Sequence, residues 1–433
     1  MSRGRPLWSA AATPGPQPPV GAYMPPPATP APGILVRWVL YAFAFSLAFD
    51  APGQLPLEPS TVMGALFILA TMLQPRACYG RRPAALWWFA GYLYVYWLAF
   101  VLTPSSNLPG AVRASLFYVH GLLILWAASN LMRHREVARR VLLTLVFAAA
   151  ILAIMTILGL GRIRETHSGR AVVFGQDPNF AARSLSIGLL SVIGLAYGRP
   201  HSALRPRFIA WPIAAVIAVA MILGASRGGL LALAFGLWTF SFLGDTLGAR
   251  VKNTTIALFA IGLCSWGALQ SPLMKRRLAE AEAGDMAQRQ EIFPASWQMF
   301  KERPLTGWGQ SNQFVLARRL RLPPERWPTR DTHNLFLEIL TGTGVMGTIP
   351  FLMGLWLCGW SAWKARRGPE GILPTAHCAA LLMANLSVNF IMLKVHWLLL
   401  AYALASAAFV PPPQFAPLPN RASTSRHRRR RWG

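Results

Sequence analysis

The chain has 433 residues, 54% of them hydrophobic and only 13% charged, with a mean hydropathy of +0.38. Soluble domains carry roughly 25% charged residues, so this composition excludes a water-soluble globular protein and reads as an integral membrane protein. The formal net charge of +27 does not imply a nucleic-acid partner, because Lys and Arg gather in short junctions between apolar runs and at the C-terminus, where membrane topology and membrane lipid account for them.

Residues 1–33 are rich in Pro, Ala and Gly, with three prolines at Pro25 to Pro27, and read as a disordered cytoplasmic tail without the order of a signal peptide. Apolar runs follow at 34–49, 60–74, 85–102, 113–132, 140–160, 180–197, 208–224, 229–243, 253–270, 335–361, 372–392 and 396–410. Most match the length a helix needs to cross about 30 Å of hydrocarbon, which predicts an all-α membrane protein of about twelve transmembrane helices. Residues 34–270 hold spans 1–9, 271–334 form a polar loop domain, 335–410 hold spans 10–12, and 411–433 are a basic cytoplasmic tail with Arg426, His427 and Arg428 to Arg431. Basic junctions (RACYGRRP, RHREVARR, GRPHSALRPR, GARVK, KARRG) alternate with APGQLPLEPS and TPSSNLPGA, which have no Lys or Arg. By the positive-inside rule the basic junctions and both termini face the cytoplasm. The loop at 271–334 then faces outward, which in a bacterial inner membrane is the periplasm. Within it, Ile292, Phe293, Trp297 and Phe300 have helical spacing, and Arg303-Pro304 ends a helix predicted over 287–302. Cys78, Cys264, Cys358 and Cys378 lack metal-ligand spacing, so neither a disulfide nor a metal site is expected from them.

Against this topology, the informative basic residues are those on the outward side: Arg162, Arg164, Arg170, Arg227 in GASRGG, and Lys275, Arg276, Arg277, Arg289, Arg318, Arg319 and Arg321 in the long loop. Outward arginines at membrane depth point to an anionic ligand. Arg227 either reaches lipid phosphate or forks onto a bound phosphate that the neighbouring glycines let approach; Arg162 and Arg164 admit the same two readings. Asp177 and Asn179 fit either a helix N-cap or a binding role. His333 follows two N-cap residue types, Asp331 and Thr332, and is predicted in the first turn of the tenth span. The positive end of a helix suits a neutral general base there; the alternative is a structural hydrogen bond to a loop carbonyl. Glu338, one turn on and sharing a face with Asn334, either pairs with an arginine or helps bind substrate.

Arginines converging on a diphosphate beside one His suggest transfer of a group from a lipid diphosphate. No GxxxxGK, HExxH or DxD motif occurs, and neither cofactor nor metal is expected. SRGG (226–229), QRQEIFPASWQMFKERPLTGWG (288–309) and THNLFLEILTGTGVMG (332–347) together resemble the O-antigen ligase and Wzy-type polymerase family, over about residues 165–360. The resemblance implies a GT-C-like, metal-independent membrane glycosyltransferase. Its donor would be an undecaprenyl diphosphate-linked glycan and its acceptor a sugar hydroxyl of lipid A-core. It places Arg227 and Arg289 on the diphosphate and His333 as base, with Arg170 and Asn179 matching a weaker pattern; Arg162, Arg164, Asn334 and Glu338 are supporting substrate-binding candidates. The family's loop arginine is often preceded by Gly, where this chain has Gln288. A polymerase, a protein O-oligosaccharyltransferase and, from another class, a transporter of lipid-linked sugars remain alternatives, and Lys394 and His396 near the last outward turn stay unassigned.

Overall fold

The computed structural model describes residues 31–410, apart from intervals at 52–56, 104–107, 162–172, 198–206, 243–245, 285–287, 324–330 and 390. The tails expected at 1–33 (all but its last three residues) and 411–433 therefore lie outside the described residues, as do Arg162, Arg164 and Arg170. Among the described residues the protein is all helical: α1 (Ile34–Ser46), α2 (Pro59–Met72), α3 (Pro75–Tyr79), α4 (Ala84–Val101), α5 (Leu108–Leu131), α6 (Arg135–Leu158), α7 (Pro178–Tyr197), α8 (Arg207–Gly224), α9 (Arg227–Thr239), α10 (Leu247–Gln270), α11 (Pro272–Glu282), α12 (Arg289–Glu302), α13 (Asn312–Arg319), α14 (Leu335–Ala365), α15 (Leu373–Asn385) and α16 (Lys394–Ser406), with short 3-10 turns between them.

Each of the twelve apolar runs carries a helix, as expected of a multi-pass membrane protein. Their lengths are less uniform than the runs suggested. Five helices, α4 to α7 and α14, are long and apolar enough to cross a membrane alone, and α10 with α11 passes the same test as a pair bent by 90°. Helices α1, α2, α8 and α16 are shorter, and α9 and α15 have 13 residues each. The junction GARVK, expected as a loop, is helical: Thr246 caps α10 by accepting a hydrogen bond from Ala249 N at 3.2 Å, so Arg250 and Lys252 fall in its first turns. Helix α7 runs through the centre of the bundle, packed on α6, α8, α9 and α15, whereas α10 buries only Ala257 and Ala268 and lies at the periphery.

Polar contacts sort the junctions into two ends. At one, Arg135 pairs with Glu370 at 3.2 Å and Asn130 exchanges hydrogen bonds with the backbone of Arg81, so the basic junctions after α3, α5 and α14 meet. At the other, Gln176 donates to the carbonyls of Ala48 and Asp50, Lys394 Nζ sits 2.9 Å from Glu58 and 2.7 Å from Thr61 Oγ1, and Asp50 accepts from Ser60.

The 271–334 segment lies at this second end and holds three helices rather than the one expected. α12 (Arg289–Glu302) starts two residues later than the expected 287 and stops at Arg303-Pro304 as the sequence indicated, but its buried stripe is Ile292, Ser296 and Met299, and Trp297 is exposed. Spacing of i, i+4, i+7 selects that face, which packs with Leu316 of α13 and Trp308 into a small core of its own. The segment is stitched to α14 where that helix breaks. Gly344 adopts φ 59°, and Val345 N and Met346 N, freed from helical partners, donate to the carbonyls of Pro304 and Leu305 at 2.8 and 3.1 Å. Trp308 N donates to Thr341 O at 2.8 Å. A kink in an apolar helix is tolerated when its freed backbone groups are satisfied in this way.

Gly307 closes this seam: its φ is 67°, and an added Cβ would lie 2.6 Å from backbone atoms of Gly342 and Thr343. Gly307→Ala is therefore expected to destabilise the protein by roughly 2 kcal/mol or more, measurable as a lowered unfolding temperature in detergent.

Candidate active site

Four helices begin around one polar cavity of about 390 Å³ lined by Asp177, Asn179, Phe180, Arg227, Gly228, Arg277, Arg289, Asp331, His333, Ser387, Val388 and Asn389. The starts of α7, α9, α12 and α14 are held there by local chemistry. Asp177 Oδ1 accepts from Asn179 N at 2.7 Å, with Pro178 opening α7, where its missing N–H costs nothing. Ser226 caps α9 by accepting from Gly229 N at 3.1 Å, and its hydroxyl donates to Asn179 Oδ1 at 2.8 Å, which locks the α7 and α9 starts together. The glycines of SRGG serve this packing. A Cβ at Gly229 would lie 2.4 Å from Ala182 Cβ, and one at Gly228 would lie 2.5 Å from Ser387 Oγ. Close approach of helices and of the turn after α15, rather than of a phosphate alone, is what requires them.

Arg227 and Arg289 are the first residues of α9 and α12. A cation at that position opposes the helix dipole, so helix stability does not account for either. Gln288, just before Arg289, has φ 65°. This is the left-handed region where Gly is the default, which gives the family's usual Gly a conformational reason. Arg227 Nη1 donates to Arg277 O at 3.1 Å and Arg289 Nη2 to Ser387 O at 2.7 Å. Both hydrogen-bond partners are neutral carbonyls, and Asp331 and Asp177 offset the charge on Arg289 only in part, without a direct ion pair. Burial, then repulsion from Arg227 and Arg277, lowers the pKa of Arg289 from the usual guanidinium range. An anion in the cavity would reverse that repulsion, and the converging helix N-termini favour one further.

His333 does not enter the first turn of α14. It precedes the N-cap with φ 50°, because Asn334 and not Asp331 or Thr332 caps the helix, accepting from Phe336 N at 2.9 Å and Leu337 N at 3.2 Å. Asp331 instead holds His333, its Oδ1 2.8 Å from Nδ1 and 3.2 Å from the backbone N. With Nδ1 turned to a carboxylate, Nε2 is the ring nitrogen left to meet a substrate group. An Asp–His pair, and not the helix end, holds this imidazole.

The remaining candidates divide. Asn179 lines the cavity, whereas Asn334 is occupied as the cap and donates from Nδ2 to Leu386 O at 3.3 Å. Glu338 is absent from the lining: its oxygens accept from Asn312 Nδ2 at 2.8 Å and Thr332 N at 3.0 Å. It neither pairs with an arginine nor reaches the cavity, and it ties α13 and the 331–333 turn to α14. Lys394 is spent on Glu58 and Thr61, and His396 lies buried 3.4 Å from Asn385 Nδ2. The sequence does not single out all of the lining. Arg277 was one of three adjacent basic residues, and only its register against Met274 would have separated it. Asp331 was read as a cap, and the turn from Ser387 to Asn389 had no motif.

An apolar groove of about 1010 Å³ runs between α9, α14 and α15, from Phe336 and Leu386 to Trp363, with Trp356 and Trp360 along it. Its upper end is one residue from the cavity where Leu386 adjoins Ser387, and Phe235 lies further along the helix that Arg227 starts.

Residues 212–352 match a family model described as O-antigen ligase, a span that contains Arg227, Arg277, Arg289 and His333. The chain is also similar to a general O-oligosaccharyltransferase of Acinetobacter baylyi, at 27% identity over 219 residues, covering 45% of this chain and 36% of that protein. The chain's match thus spans about a third of that relative's length. The resemblance read from SRGG and the two longer motifs is borne out, and with it ligase-type glycosyl transfer as the family's chemistry.

Asn334→Ala removes two capping bonds and the tie to Leu386. It should cost about 1–2 kcal/mol, read as a lower unfolding temperature, with a fall in any ligand affinity because His333 is the preceding residue.

Proposed function

Proceeding from that family match, we propose that this protein is a membrane glycosyltransferase that moves a glycan from undecaprenyl diphosphate to a hydroxyl of lipid A-core at the periplasmic face of the bacterial inner membrane. The observation that carries this reading is the meeting of Arg227, Arg289 and His333 in one 390 Å³ cavity, although they come from segments far apart in the chain. The adjoining apolar groove suits a polyprenyl tail, since its walls are aromatic and aliphatic and it runs along α14 away from the arginines. The basic junctions after α3, α5 and α14 gather at the end opposite the cavity, which supports an outward site; twelve crossings in a GT-C-like arrangement belong to the same proposal.

In the reaction, the acceptor hydroxyl oxygen attacks the anomeric carbon, and the bond from that carbon to the phosphate oxygen breaks. The bonding pair leaves with the lipid diphosphate, and the hydroxyl proton passes to His333 Nε2. Asp331, against Nδ1, orients the ring and stabilises the imidazolium that forms. Arg227 and Arg289 offset the charge growing on the departing oxygen, a contribution that costs little reorganisation because the cavity is built before substrate arrives. The same residues serve a protein hydroxyl as acceptor, and the similarity to an O-oligosaccharyltransferase favours that as the second reading.

Purified full-length protein in nanodiscs, given a polyprenyl diphosphate-linked glycan and in turn lipid A-core, a second lipid-linked glycan and a Ser/Thr-containing protein, is expected to glycosylate lipid A-core. Product on the protein alone would replace the first reading by the second, and no product on any acceptor would remove both. His333→Ala, Arg227→Ala and Arg289→Ala should each reduce turnover by roughly 10²-fold or more. Arg289→Lys should not restore it, because a point charge cannot reproduce a fork that holds Ser387 O and a phosphate together.

A further inference from the structure

We propose that Arg277 is a third direct contact to the diphosphate, receiving the phosphoryl oxygens that gain charge as the glycan leaves. The proposal rests on the diphosphate-transfer reading of the cavity.

Arg277 sits in a run of three basic residues, Lys275, Arg276 and Arg277, on α11. Lys275 and Arg276 are exposed, and Arg276 is spent on Glu280 at 2.9 Å on the outer face. Met274 is buried against Ala225 and Ala268. Residues three apart share a helix face, so the packing of Met274 turns Arg277 inward, and among these three it alone lines the cavity. The 90° bend between α10 and α11 lays this face against the start of α9, and Arg277 O takes the hydrogen bond from Arg227.

The Nε atoms of both Arg277 and Arg289 are buried and make no hydrogen bond. Buried guanidinium donors are costly to leave unmatched, and two residues that carry them lining one cavity call for an acceptor with several oxygens. The two carboxylates in the lining are engaged elsewhere, Asp331 with His333 and Asp177 with Asn179 N.

Charge balance gives the third arginine a distinct task. A sugar diphosphate diester carries a charge of about −2, and the released lipid diphosphate about −3, one proton having gone to His333. Because Asp177 and Asp331 share the lining with the three arginines, an added guanidinium counts most when the extra negative charge of the product develops. Arg277 therefore acts on turnover more than on donor binding.

The test uses full-length protein in nanodiscs with Arg277→Ala, Arg277→Lys and Arg276→Ala, reading kcat and KM for transfer and, separately, binding of inorganic pyrophosphate and inorganic phosphate by calorimetry. Expected are a fall in kcat of about 10-fold or more with a smaller change in KM for Arg277→Ala, pyrophosphate binding weakened about 10-fold, partial retention in Arg277→Lys, and wild-type behaviour in Arg276→Ala. Should Arg277→Ala unfold, Arg277→Lys decides by the same readouts. Wild-type kcat and pyrophosphate affinity in the Arg277 variants, equal losses in Arg276→Ala, or no pyrophosphate binding by wild type would overturn the proposal. If wild type forms no glycosylated product while pyrophosphate binding still depends on Arg277, the transferase reading fails and the anion contact stands.

Discussion

Like charge held in a confined space is the constraint from which this structure can be understood. Three guanidinium groups share one cavity, none paired with a carboxylate among the described residues, and four helices point their N-termini at it. The arginines repel one another, and Asp331 and Asp177 in the same lining relieve this only in part. The scaffold keeps them together with neutral partners, the carbonyls of Arg277 and Ser387, which fix geometry without cancelling charge. A site arranged so is most stable when an anion occupies it, and its electrostatics are set before that anion arrives.

Holding such a site at one end of a helical bundle requires polar contacts where hydrocarbon would otherwise dominate. The Lys394–Glu58 pair ties the first helix-joining loop to the start of α16, close behind the Ser387–Asn389 turn that receives Arg289. Asp50, Ser60 and Gln176 make a second tie between the starts of α2 and α7. Pairs of this kind add little net stability, but losing one partner leaves a buried charge unmatched. They specify one arrangement of the loops around the cavity.

The loop domain and α14 depend on each other through backbone geometry. The break at Gly344 releases two N–H groups that Pro304 and Leu305 satisfy, and Glu338, nearer the start of the same helix, bridges Asn312 and Thr332. Glu338 shows why its role was hard to read in the sequence. A carboxylate in an apolar run signals that something polar is near, and the run does not say whether that partner is a substrate or the protein's own loop. His333 shows the same limit at shorter range. Asp, Thr and Asn in a row are all cap formers, and the one that caps decides whether the His lies inside the helix or is turned outward by a positive φ.

By itself the sequence determined that the chain is helical and apolar, that its basic junctions alternate with neutral ones, and that SRGG, the α12 motif and the THNLFLEILTGTGVMG stretch resemble one family. Hydropathy, charge distribution and motif spacing are properties of adjacent residues, so they survive without coordinates. Tertiary structure alone decided that Arg277 rather than Arg276 faces the cavity, that Asp331 holds the imidazole, and that α10 and α11 meet at a 90° bend. Each of those outcomes turns on which helix face packs against a neighbour or where a helix bends, and that is settled by contacts between segments distant in sequence.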